Sequence, residues 1–182
     1  QKKIAEADNK SLEAEAQAEF ARVFGQTPSA TATKQPGMPA VSLTMKDRLA
    51  IPPQDMPCQD PVERRQTMSE VALGYYAEQT RLEAARCLQC KTKPCVAGCP
   101  VGIDIPGFVA RAAAGDFAGS LAVIKESSLL PAICGRVCPQ ESQCQEPCTV
   151  GKSLKSFDKA VAIGRIERFV ADWAAANHDD KA

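Results

Sequence analysis

The sequence has one histidine, His178, close to its C-terminal end. Any metal site must therefore be built from thiolates, with a carboxylate as the other candidate. Net charge is missing too. The 22 basic residues balance 22 acidic ones, which removes the electrostatic case for nucleic acid or an anionic membrane as partner. No apolar run approaches the roughly 20 residues of a membrane span. Gln1 to Glu19 is charged throughout, unlike a secretory signal. No G-x-G-x-x-G occurs, so no dinucleotide site is claimed. Strand signals are nearly absent. The chain starts at Gln1 rather than Met, as expected of a piece cut from a longer polypeptide.

Cysteine is what the sequence has in excess: nine residues, eight of them between Cys87 and Cys148. A secreted disulfide scaffold is usually shorter and rarely leaves an odd thiol. Without a secretion signal, dense cysteine points to metal and to a cytoplasmic location.

Residues 1–24 are rich in Ala, Glu and Lys and read as a helix with sparse apolar positions, exposed or bound to a partner. The stretch from Gly25 to Pro39 reads as a linker. Ile51 to Pro61 carries four prolines and is irregular. Short helices are expected after Pro61 and from about Tyr76 to Leu88. Pro94, Gly98 and Pro100 argue against regular structure between Cys87 and Pro100. Ile105 to Ala114 reads as a helix ended by Gly115, and Asp116 caps another through Ile124. A second cysteine loop is expected from Cys134 to Gly151, and a last helix from about Asp158 to Ala175. The fold class is all-α, with two cluster-binding loops between helices. The expected organisation is a helical extension and linker at 1–40, a di-cluster domain at 41–176 and a tail at 177–182.

The first loop reads C-x2-C-x4-C-x3-C-P, with Cys87, Cys90, Cys95 and Cys99 before Pro100. The second reads C-x3-C-P-x4-C-x3-C, with Cys134, Cys138, Cys144 and Cys148. In the bacterial ferredoxin run, the last cysteine serves the other cluster. A cubane offers four irons at the corners of a tetrahedron, and a tight loop reaches about three of them. Cys87, Cys90 and Cys95 therefore belong to one cluster, and Cys99, turned away by Pro100, starts the second. Two zinc sites of four thiolates each are the main alternative. Against zinc, its ligands usually form separated C-x2-C knuckles rather than four cysteines within thirteen residues.

Four segments then carry a resemblance: Arg86-Cys-Leu-Gln-Cys, Gly98-Cys-Pro-Val-Gly-Ile-Asp-Ile-Pro106, Ile133-Cys-Gly-Arg-Val-Cys-Pro139 and Ala162-Ile-Gly-Arg-Ile-Glu-Arg-Phe169. Together they resemble the N-terminal iron–sulfur domain of the glutamate synthase small subunit. The same domain, of the dihydropyrimidine dehydrogenase domain II type, occurs in the large subunit of NADH-dependent ferredoxin:NADP oxidoreductase. Met45-Lys-Asp-Arg48 and Val71-Ala-Leu-Gly-Tyr75 fit the same pattern. The resemblance covers about residues 45–175. It implies an α-helical ferredoxin-like fold with two [4Fe-4S] clusters. One would be held by Cys87, Cys90, Cys95 and Cys148. The other would take Cys99, Cys138 and Cys144, with Glu167 as its non-cysteine ligand. Cys134 matches a cysteine that is not a ligand.

Glu167 has support of its own. Ile163 and Val170 lie at i−4 and i+3, which turns its carboxylate towards an apolar face, and no Lys or Arg stands at i±3 or i±4 to pair with it. Iron would compensate the cost of burying it. The alternative is a surface glutamate paired to a distant arginine.

Some features depart from the family or lead elsewhere. The FAD and NADPH modules that normally follow this domain are missing from a sequence ending at Ala182. Residues 1–40 have no counterpart in the small subunit, and Cys58 reads as an incidental thiol. Val150-Gly-Lys-Ser153 echoes a phosphate loop, but the first glycine of that motif would fall at Glu146, so Lys152 and Lys155 are expected to face solvent or a partner. Gly98, Gly102, Gly135 and Gly151 stand beside candidate ligands, in tight turns or where the backbone approaches sulfur.

The function expected from the whole is an electron-transfer module. It would relay electrons between the FAD of an NAD(P)H-dependent oxidoreductase and a partner redox centre, and would be non-catalytic alone. The implied partners are a flavoprotein module and a second redox subunit, either the glutamate synthase large subunit or a flavin subunit with ferredoxin. A cluster-bearing redox sensor or interaction domain and a structural zinc domain are the rival readings.

Overall fold

A computed structural model describes residues 2–25 and 42–177, with side chains from residue 8 onward. The linker expected at 25–39, the 40/41 boundary, most of the tail at 177–182 and His178 lie largely or wholly outside the described residues.

The described residues are helical, and their one β pairing is a bridge between Cys58 and Ala72. The helices are α1 (Lys2–Phe24), α2 (Met45–Ala50), α3 (Ala77–Ala85), α4 (Pro94–Ala97), α5 (Ile105–Ala113), α6 (Phe117–Lys125), α7 (Pro131–Val137), α8 (Thr149–Ser153) and α9 (Ile163–Asn177). Helices α3, α5, α6 and α9 enclose the main core, which includes Ala84, Phe108, Val109, Ile124, Ile166 and Val170. The Phe117 and Phe169 rings meet edge to face with centroids 4.9 Å apart and close α9 onto α6.

Local chemistry sets the boundaries. Asp116 caps α6 by accepting the Gly119 N–H at 2.9 Å, as the sequence suggests. Thr44 and Asp47 form a reciprocal capping box at the start of α2. Four expectations need correction. The helix expected after Pro61 is a single 3-10 turn, Glu63–Gln66. Pro94 does not break the first cysteine loop but opens a helical turn, α4, because its missing N–H costs nothing at a first helical position. The second loop starts later than expected, since Cys134 lies inside α7. The last helix starts at Ile163 rather than Asp158, since the backbone before it is committed elsewhere. There the carbonyls of Lys159 and Ala160 accept from Arg86, and the Ala162 N–H donates to Glu83.

α1 also differs from expectation. Its sparse apolar residues bury Ala16 and Phe20 against Leu82, Ala85 and Ile51 of the same chain. The Arg81 guanidinium lies 4.6 Å from the Phe20 ring centre and 4.8 Å from that of Phe24, adding cation–π attraction to a small apolar contact.

A buried ion pair ties these parts together. Glu83 and Arg86 pair one helical turn apart, with side chains 1% and 0% exposed. Glu83 also accepts the N–H groups of Gln54 at 2.9 Å and Ala162 at 2.8 Å. One carboxylate thus fixes the irregular 51–55 stretch, the end of α3 and the start of α9. Arg48 of α2 adds a second tie, donating to the carbonyls of Ala85 at 2.8 Å and Cys87 at 2.9 Å.

Candidate iron–sulfur centres

The chain leaves α3 directly into Cys87, whose carbonyl Arg48 holds. Cys87, Cys90, Cys95 and Cys148 line one small cavity, open at its mouth. The rest of its wall is mainly apolar, with Leu88, Pro94, Ile105, Pro106, Val109, Val150, Val161 and Ile163. Burial pushes the Cys87 thiol up to about 11, helped by the charges of Cys148 and Cys90. Cys95 is pushed up to about 12, by burial and then by Cys87 and Cys148. Thiols gathered in an apolar pocket resist ionisation. A metal that holds them as thiolates must displace their protons.

Cys138 and Cys144 each lie within electrostatic reach of Cys99 and Glu167, and Cys144 also of Cys95 in the first group. Burial raises the Cys144 thiol to about 12, and the charges of Cys99 and Glu167 add to the shift. Cys138 is raised by burial first, then by Cys134, Glu167 and Cys99. Glu167 is 6% exposed, and its Oε1 is buried with no hydrogen-bond partner. Burial alone pushes its carboxyl up to about 7. The surface position required by the alternative reading is therefore not the one observed. A carboxylate oxygen left bare among thiols suits a cation that is not a protein side chain.

Close backbone approaches bring this second group together. Gly135 sits inside α7, not in a turn, and a Cβ there would lie 2.6 Å from the Arg168 nitrogen and 2.8 Å from its Cα. Without that Cβ, α7 can press on α9 next to Glu167. Gly98 does the same for the loops: a Cβ there would lie 2.6 Å from the Gln143 carbonyl oxygen, so Cys99 and Cys144 can meet. Arg136 reinforces the α7–α9 contact through Asp172 at 2.8 Å and Glu70 at 2.8 Å.

The remaining candidates fall outside both groups or at their edge. Cys58 is exposed and its thiol donates to the Met56 carbonyl. Cys134 stands 3.8 Å from the Ser128 hydroxyl and also touches the Cys138 thiol, so it lies at the border of the second group. Lys152 and Lys155 are exposed. Among the described residues, no three His, Cys, Asp or Glu side chains close around one point as a single ion's ligands would. No described helix is long and apolar enough to cross a membrane. Sequence reasoning missed Arg48, Glu83 and Arg86, which hold the ligand-bearing segments. Two of them lie in motifs it quoted, but nothing in a linear motif says what an arginine donates to.

Helices enclosing clustered thiols, buried or half-buried, define a helical iron–sulfur domain of ferredoxin type. The chain belongs to the family described as dihydropyrimidine dehydrogenase domain II, 4Fe-4S cluster, which matches residues 64–179. The family is one of 4Fe-4S cluster domains. The chain is 34% identical over 141 residues to AegA of Escherichia coli K12, named an oxidoreductase, covering 76% of this chain and 21% of that protein. It is 34% identical over 122 residues to the glutamate synthase [NADPH] small chain of Azospirillum brasilense, covering 66% and 25%. It is 40% identical over 91 residues to the NAD-dependent dihydropyrimidine dehydrogenase subunit PreT of Escherichia coli K12, covering 50% and 21%. The chain thus spans a fifth to a quarter of the length of these curated relatives.

Proposed function

We propose that this chain holds two [4Fe-4S] clusters and relays electrons between the FAD of an NAD(P)H-dependent oxidoreductase module and a partner redox centre. Cys87, Cys90, Cys95 and Cys148 hold the first cluster, and Cys99, Cys138, Cys144 and Glu167 the second. Such a cluster, when bound, takes up and returns one electron with little change in its ligands. The protein's part is to hold eight ligands in place, exclude water from them and keep the two groups adjacent. The observation that carries this reading is the buried, partnerless Glu167 carboxylate next to Cys99, Cys138 and Cys144, beside a separate four-thiol cavity.

Adjacency supports a relay. Cys95 and Cys99 are four residues apart, bridged by α4, and four helical residues rise about 6 Å. Cys144 and Cys148 repeat the division, one in each group. The FAD and NADPH sites belong to a flavoprotein module in the same or another chain, which the greater length of the relatives leaves room for. Leu129, Leu130, Ile133 and Val137 are exposed on and before α7, the helix that leads into Cys138. On this reading the flavoprotein module covers them. The electron acceptor is a second redox subunit of the glutamate synthase large-subunit type, or a flavin subunit with ferredoxin. Nine free cysteines fit a cytoplasmic setting, where thiols stay reduced.

Metal analysis and spectroscopy test this. Anaerobically purified protein should carry about eight irons and eight sulfides per chain. Glu167→Ala should perturb or lose one cluster while the other keeps its electron paramagnetic resonance signal. Stoichiometric zinc with negligible iron would refute the cluster reading. Unchanged iron content, potentials and spectra in Glu167→Ala would remove Glu167 from the ligand set.

A further inference from the structure

Gln89 stands between two of the proposed ligands and has a backbone φ of 52°. That left-handed conformation favours glycine and penalises a side chain as long as glutamine. Unlike the left-handed Gly102 and Gly115, Gln89 bears this strain with its side chain placed on specific partners. Its Nε2 donates to the Pro106 carbonyl at 3.1 Å and to Cys87 Sγ at 3.5 Å. A carbonyl oxygen only accepts, so the Pro106 contact fixes which end of this exposed amide faces the Cys87 sulfur. The Gln89 backbone N–H bonds the same sulfur. A strained residue that persists with a defined contact points to function.

Thr149 makes a matching contact on the next ligand. Its hydroxyl lies 3.2 Å from Cys90 Sγ, where the protonated thiol donates to it. A thiolate has no proton to give, so once Cys90 is a ligand the hydroxyl must become the donor. The other side chains on the cavity wall, besides the four thiols and Thr149, are apolar. Gln89 and Thr149 therefore supply side-chain hydrogen bonds to two sulfurs of the first group.

We infer that Gln89 and Thr149 set the reduction potential of the cluster held by Cys87, Cys90, Cys95 and Cys148, as tuning residues rather than ligands. This rests on the two-cluster reading above. Reduction adds one electron, and the ligating sulfurs then carry more negative charge. Donors to those sulfurs stabilise the reduced form more than the oxidised form and raise the potential. Removing a donor shifts the potential negative.

The test is a potentiometric titration of the full chain under anaerobic conditions, followed by electron paramagnetic resonance. Gln89→Gly keeps the backbone N–H and suits the left-handed conformation. Thr149→Val keeps the shape and loses the hydroxyl, whereas Thr149→Ser keeps the hydroxyl. Gln89→Gly and Thr149→Val should each move the same one of two midpoint potentials to a more negative value. The other potential and the iron content should match wild type, and Thr149→Ser should stay at the wild-type value. Gln89→Gly should also unfold at no lower temperature than wild type. Unmoved potentials at full iron content would overturn the inference. So would variants that move different potentials, or loss of the first cluster's iron from Gln89→Gly. If wild type itself carries about four irons rather than eight, the two-cluster reading fails. The inference then stands only if the one remaining potential shifts in both variants.

Discussion

Gly135→Ala tests whether the contact between α7 and α9 builds the second centre. The new Cβ would lie 2.6 Å from the Arg168 nitrogen and 2.8 Å from its Cα. Carbon atoms in contact prefer about 3.5–4.0 Å, so the helices must part by roughly 1 Å. Both close atoms belong to the backbone, and no side-chain rotation relieves them. Overpacking of this kind costs about 1–3 kcal/mol. Alanine returns about 1 kcal/mol of helix propensity over glycine. The net loss is about 0–2 kcal/mol, or a few degrees of Tm. The ligand geometry should suffer more than the stability does. Cys138 ends α7, and Glu167 precedes Arg168 on α9. Metal sites hold ligand distances to about ±0.2 Å, so a shift near 1 Å exceeds the tolerance. Gly135→Ala should fold, lose one cluster's iron and keep the spectrum of the other. Iron and sulfide determination with a thermal melt reads both effects. Full iron content together with a raised Tm would refute the reasoning, because propensity would then have outweighed a contact that does not matter.

Further predictions concern the frame and the spare thiols. Arg86→Met leaves Glu83 buried and unpaired, which should cost about 3–5 kcal/mol and lower Tm by roughly 10 °C, measured by calorimetry; a loss below about 1 kcal/mol would mean the pair is not a cross-link. Cys58→Ser and Cys134→Ser should retain full iron content, whereas Cys90→Ser should lose one cluster. Loss of iron from Cys134→Ser would move Cys134 from the border of the second group into the ligand set.

The candidate site was more legible in the sequence than the frame that holds it. Cysteine spacing is local information, and Cys87, Cys90 and Cys95 can be read as one set because a short loop cannot open far. The burial of Glu167 was legible as well, since helical periodicity places Ile163 and Val170 around it. The Glu83–Arg86 pair was not, because its partners are the backbone groups of Gln54, Lys159, Ala160 and Ala162, and backbone groups leave no mark in a sequence. The same pair explains the late start of α9, which propensity alone does not give. The docking of α1 is hard to read from the sequence because Ala16 and Phe20 are few, and what they cover depends on Leu82 and Ala85, more than sixty residues away. Gly135 looks like a turn residue in a cysteine motif, and only the α7–α9 contact reveals its purpose.

The two groups differ in a way that bears on the direction of flow. The first offers four thiolates in an apolar cavity, with Gln89 and Thr149 beside two of them. On the proposed ligand set, the second would replace one thiolate with the Glu167 carboxylate, a harder ligand, and is clasped between α7 and α9. Ligand type, hydrogen bonds to sulfur and burial all shift cluster potentials, so two groups built this differently should not share one potential. Unequal potentials make one electron-transfer step between adjacent clusters downhill and its reverse uphill. Which group takes the electron first then depends on side chains that never touch iron as much as on the ligands. Potentials measured in the Glu167 and Gln89 variants would assign each value to its group, and the order of the two values would show which step between the groups runs downhill.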